Sequence, residues 1–162
     1  MRHRVAGWKL GRNTSHRRAL LRNLVTSLIM EDRIETTLAK AKALRPHLER
    51  MVTLGRKGDV AARRQAAGFL MSREAVERLF DTVSPRMGDR AGGYLRIIRA
   101  RWQKGDGAEK AFVELIGSEK SIAEKQKKRA EARAKRREET QKQLQQAQTP
   151  PPEGEKEKEE EK

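Results

Sequence analysis

Residues 94–116, YLRIIRARWQKGDGAEKAFVELI, decide the fold class. Tyr94–Trp102 and Glu109–Ile116 are short runs rich in β-branched, aromatic and alternating apolar residues, the composition of half-buried strands. Between them lies Lys104-Gly105-Asp106-Gly107, two glycines around an aspartate, a turn. Two strands joined by so short a turn pair as an antiparallel hairpin. Strand pairing places Arg99 and Arg101 on one face and Arg96 on the other.

Upstream the pattern changes period. Arg86–Gly93 reads as a loop, and before it a helix starting at Ser72 buries Val76, Leu79, Phe80 and Val83 and stops at Ser84-Pro85. A short helix spans Asp59–Ala67. A longer one is capped by Thr37, carries Lys40, Lys42 and Arg45, is kinked or restarted at Pro46, and continues through Leu48, Met51 and Val52 to Gly55. Arg33–Thr37 alternates and is β-branched, a short strand. The first helix runs from Ser15, its N-cap, to Met30, with Leu20, Leu21, Leu24, Val25 and Leu28 on one face and Arg18, Arg22, Asn23 and Thr26 opposite. The order helix, strand, helices, strand, strand implies an α+β fold, helices packed on a small mixed sheet that ends in the hairpin.

Composition marks where that domain stops. Residues 118–162 hold seven apolar residues in 45, and only Ile122 and Leu144 are larger than alanine, too few to bury a core. The expected parts are a basic arm at 1–14, a globular domain at 15–117, a charged and helix-prone extension at 118–148 and a disordered acidic tail at 149–162. In the arm, Trp8 and Leu10 either pack back on the domain or insert against bases.

Charge points to a partner. The net charge is +15, and residues 1–56 carry 13 basic against 4 acidic side chains, with no acid before Glu31. Such a concentration repels itself unless a polyanion neutralises it. Arginine outnumbers lysine ten to three in that segment, the preference of sites that grip phosphate bidentately or stack on bases. Sparse aromatic anchors weigh against a membrane surface, leaving nucleic acid.

Catalysis finds no support. The chain has no cysteine, which excludes disulfides, thiolate metal sites and a cysteine nucleophile. His3, His16 and His47 lack the spacing of a helical metal site, and Gly55-Arg56-Lys57-Gly58 is not a P-loop. No cofactor and no metal are expected. No run approaches the ~18 apolar residues of a membrane span, and the charged start leads into no secretory h-region, so an intracellular protein is expected. The first helix precedes a strand rather than a second helix, against a helix-turn-helix, and few aromatics oppose stacking on the sheet. Backbone-dominated recognition of a large folded RNA remains. A free regulator or DNA-compacting protein is the alternative.

Met1-Arg2-His3-Arg4, Lys9-Leu10-Gly11-Arg12, His16-Arg17, Arg22-Asn23-Leu24, Arg33-Ile34-Glu35-Thr36-Thr37, Ala39-Lys40-Ala41-Lys42, Gly92-Gly93-Tyr94, Arg96-Ile97-Ile98 and Gly105-Asp106 occur in order over residues 1–117. This set resembles the bacterial large-subunit ribosomal proteins of the L-seventeen family. The resemblance implies a structural protein on large-subunit ribosomal RNA near the polypeptide-exit side, with protein neighbours including the L-thirty-two family. Carried over by position, the expected RNA contacts are Arg2, His3, Arg4, Lys9, Arg12, His16, Arg17, Arg18, Arg22, Asn23, Arg33, Thr36, Thr37, Lys40 and Lys42, with Arg96, Arg99 and Arg101 on the hairpin. Replacing Arg18 and Arg22 by alanine is expected to weaken assembly without unfolding the domain. The family's Met-Arg-His start without a transit peptide favours a bacterial cytoplasmic protein. Many members end near residue 117, where the likeness stops.

Overall fold

The computed structural model describes residues 7–88 and 90–118, and six helical positions beyond them: Ala123, Lys127, Ala132, Arg133, Arg136 and Thr140. Arg2, His3 and Arg4, most of the 118–148 extension and the 149–162 tail lie outside the described residues. Internal contacts divide the chain into Met1–Ile122 and Ala123–Lys162, and the first unit carries the fold.

Helix α1 spans Thr14–Glu31. Its N-cap is Asn13, not the expected Ser15: Asn13 Oδ1 accepts from the His16 N–H at 2.9 Å. The earlier of several residues able to cap takes the role, and Arg17 thereby enters the first turn. Strand β1 is Arg33–Thr37 and α2 is Leu38–Lys57. Thr37 occupies the α2 N-cap position, but its side chain makes no capping bond. Pro46 does not interrupt α2. A proline inside a helix costs about 3 kcal/mol, whereas Leu44, Leu48, Met51 and Val52, on either side of it, are buried in one core at about 1.5–3 kcal/mol each. Packing outweighs the lost bond. Gly58, left-handed at φ 70°, closes the helix.

Asp59 caps α3, Val60–Phe69, and Ser72 caps α4, Arg73–Arg78. The chain then widens into a π-helical turn, Leu79–Val83, and ends in α5, Ser84–Arg86. It thus runs past the expected stop at Ser84-Pro85. The wider turn lets the Ser84 N–H reach the Leu79 carbonyl, and Pro85 falls in the first turn of α5, where its missing N–H costs little. Val76, Leu79, Phe80 and Val83 are all buried, as the pattern predicts.

Strands β2, Leu95–Trp102, and β3, Glu109–Leu115, form the antiparallel hairpin. The sheet order is β1-β3-β2, and it is antiparallel throughout rather than mixed, because the last strand inserts between the other two and opposes both. Ile34, Ala111, Val113, Leu95 and Ile97 share the register positions that face the helices. A bulge between Arg99 and Trp102 breaks the alternation, so the shared face expected for Arg99 and Arg101 does not carry across it.

Two contacts lock these layers. Asp32 is fully buried at the end of α1, left-handed at φ 64°. Its Oδ2 accepts from Arg78 Nη2 at 2.6 Å and its Oδ1 from Arg86 Nη2 at 3.0 Å, while its carbonyl accepts from the Leu115 N–H. One residue therefore ties α1 to α4 and α5 through its carboxylate and to β3 through its backbone carbonyl. At the second contact, buried Gly55 of α2 lies against Ser84, and an added Cβ would stand 1.9 Å from Ser84 Oγ. Alanine gains up to ~1 kcal/mol of helix propensity, but forced overpacking costs about 1–3 kcal/mol. Gly55→Ala is therefore expected to lower the urea midpoint, and Ser84→Gly to restore most of the loss.

Candidate nucleic-acid interface

The cap at Asn13 and the unbroken α2 together build a cleft. Lys9–Arg12 form a turn, with Arg12 N–H bonded to the Lys9 carbonyl at 3.2 Å and positive φ at Leu10 and Gly11 (56° and 61°). This turn leans over the start of α1 and the middle of α2, enclosing about 600 Å3 lined by Lys9, Arg12, Arg17 and Lys42 together with Trp8, Leu21, Pro46 and His47. Its lining contains no carboxylate. Arg12 Nη1 donates to His16 Nε2 at 2.6 Å, and Arg17 holds the Arg12 carbonyl at 3.2 Å. The two arginines are thus positioned by local bonds.

Lys42 joins this cleft to two neighbours. One, about 300 Å3, has Lys42, Arg45 and Arg99 in its lining and again no acid. The other, about 340 Å3, is lined by Trp8, Thr37, Lys42 and Glu109, the one carboxylate along the set. On the far side of His47 lies a further cleft of about 540 Å3 with Arg18, Arg50 and Gln65. The His47 ring stacks on Phe69, centroids 5.8 Å apart and 10° from parallel. Burial, reinforced by the Arg50 charge, holds His47 below its ordinary value near 6.5, so the ring is uncharged at neutral pH.

The expected contacts divide accordingly. Lys9, Arg12, Arg17 and Lys42 meet in one cleft, Thr37 and Arg99 border its neighbours, and Arg18 lines the cleft beyond His47. His16 supports Arg12. Asn23, Arg96 and Arg101 are exposed away from these linings, and Lys40 and Thr36 are half-buried outside them. Arg33 is engaged by the protein itself, 3.0 Å from Glu114 and over the Phe112 ring at 4.1 Å.

Arg22 is held by the protein itself. Its Nε donates to the Phe69 carbonyl at 2.6 Å and its Nη2 to the Gly68 carbonyl at 3.3 Å, capping the end of α3. Thr26, one turn on, accepts from the Met71 N–H and pins the same loop. Hydrogen bonds from a charged donor contribute about 1.5–3 kcal/mol, so Arg22→Ala is expected to destabilise the domain by about 2 kcal/mol in urea unfolding. Exposed Arg18→Ala should change stability by less than ~0.5 kcal/mol. The paired substitution therefore does not isolate RNA binding.

Arg45, His47 and Arg50 border the clefts although none was among the expected contacts. Arg45, three residues after Lys42 on α2, shares its helix face, a spacing that marks it in the sequence. Among the described residues no three His, Asp or Glu side chains gather as a metal site, and no helix is long and apolar enough to cross a membrane.

Fold and site together define a class: a small α+β domain whose outer α1–α2 face is a cation-lined, almost acid-free groove suited to a polyanion. The chain belongs to the ribosomal protein L17 family, whose model, Ribosomal protein L17, matches residues 20–116. It is 72% identical over 128 residues, 79% of this chain and 80% of the relative, to the "Large ribosomal subunit protein bL17" of Koribacter versatilis (strain Ellin345). It is 52% identical to the protein of that name from Solibacter usitatus (strain Ellin6076), covering 79% of this chain and 87% of the relative. With the one from Desulfotalea psychrophila (strain LSv54 / DSM 12343) it shares 49% identity, over 76% and 95% of the two chains.

Proposed function

We propose that this structural, non-enzymatic constituent of the bacterial large ribosomal subunit holds ribosomal RNA along the α1–α2 groove, chiefly by its phosphates. The observation that carries the reading is the meeting of Lys9, Arg12, Arg17 and Lys42 around one cleft with no carboxylate in its lining. Lysine and arginine side chains that neutralise phosphates release the RNA's condensed counterions into solution, and that release drives binding. Arg18, Arg45, Arg50 and Arg99 extend the track on either side. Arg2, His3 and Arg4 belong to the same basic arm, 1–14, beside the 15–117 domain, and add phosphate contacts to the track. The 118–148 extension reaches neighbouring RNA, and the acidic 149–162 tail stays off it. Protein neighbours include a member of the L-thirty-two family, for which the exposed Ile98 and Trp102 of β2 offer apolar surface.

Sedimentation of a lysate through a sucrose gradient in high salt tests the reading. Stoichiometric migration of the endogenous chain with the large subunit is expected. Migration at the top of the gradient, or with DNA, would favour the free regulator instead.

A further inference from the structure

We propose that the cleft under the Lys9–Arg12 turn is a nucleobase slot, taking one unstacked base of the bound RNA against Trp8 and His47. This inference rests on the RNA-binding reading above and adds to it a ligand class that phosphate contacts alone do not require. Cations suffice to hold a hydrated phosphate backbone. Here they ring a wall of a different kind: Trp8, Leu21, Ala43, Pro46 and His47 supply apolar and aromatic surface between Lys9, Arg12, Arg17 and Lys42. Flat apolar surface bordered by cations matches a nucleotide, whose base stacks while its phosphate pairs.

Three features indicate a built slot. Trp8 is 51% exposed, a large indole left half in solvent with the cleft beside it. The turn that follows it holds Leu10 at φ 56°, a conformation non-glycine residues adopt rarely. His47, stacked on Phe69, is fixed in orientation and presents a ring rather than a charge. The volume of about 600 Å3 falls within the usual range of small-ligand clefts, with room for a base and its sugar. Recognition by stacking tolerates any base.

The chain has two tryptophans, so a Trp102→Phe background leaves Trp8 as the sole tryptophan, whose emission is excited selectively over that of Tyr94. The full chain is titrated at low salt with three RNA hairpins differing at one position: fully paired, carrying a single bulged adenosine, or carrying an abasic bulge. The bulged adenosine is expected to bind about 10-fold tighter than either control and to quench Trp8. Trp8→Ala should erase that preference and Trp8→Phe should keep most of it. Equal affinity for all three hairpins, with the same Trp8 emission, would overturn the slot while leaving phosphate binding intact. Failure of all three to bind would remove the RNA-binding reading as well.

Discussion

Asp32→Asn is expected to lower the unfolding free energy by about 3–5 kcal/mol, the usual result of removing one partner from a buried ion pair. The substitution keeps the shape and tolerates the left-handed backbone at φ 64°, so it removes the charge and little else. Arg78 and Arg86, 28% and 18% exposed, are left facing an amide in a site from which water is excluded. Their Nε atoms are already buried without hydrogen-bond partners, which adds to the cost of weakening the bonds that their Nη2 atoms make to Asp32. Because Asp32 joins α1, α4, α5 and β3, the loss should appear as a fall in the cooperative transition, on the order of 15 °C in Tm. Urea unfolding followed by circular dichroism measures it. A change below ~1 kcal/mol would mean that the packed core alone holds these elements together.

The triple variant Lys9→Gln, Arg12→Gln and Lys42→Gln is expected to lose about 100-fold in affinity for large-subunit ribosomal RNA at 0.15 M salt. Each phosphate contact contributes roughly 0.7–0.9 to the slope of log K against log salt, so the slope should fall by about 2–3. Arg17 is left in place because it also holds the Arg12 carbonyl and the Thr14 hydroxyl. Stability should move little, since Lys9 and Lys42 are exposed. Filter binding across a salt series gives affinity and slope together. An unchanged slope would place the phosphates elsewhere on the surface.

The hairpin and β1 were legible because turn chemistry and alternation are local. The bounds predicted for β1 are the observed ones, and those of the hairpin agree within a residue at either end. The strand order was not legible. A sheet whose last strand inserts in the middle leaves no local mark on the sequence. Pro46 left restart open for a related reason: the local penalty is visible in sequence, while the burial of Leu44 and Leu48 that carries one helix through it is tertiary.

Charge located the cation-lined cleft only coarsely. It marked Lys9, Arg12, Arg17 and Lys42, which do converge, but an arginine reads the same whether it faces solvent or caps a helix. The sequence therefore does not show that Arg22 and Arg33 have partners within the protein, the α3 carbonyls and Glu114. Asp32 left no signal, because an aspartate between a glutamate and an arginine at a helix end resembles a solvated turn.

Ultraviolet crosslinking of assembled large subunits, with the modified peptides of this chain identified by mass spectrometry, tests the central claim most directly. The α1–α2 groove predicts crosslinks within residues 8–17 and 38–50. Crosslinks confined to α3–α5 or to the outer face of the sheet, with none in those two segments, would contradict it.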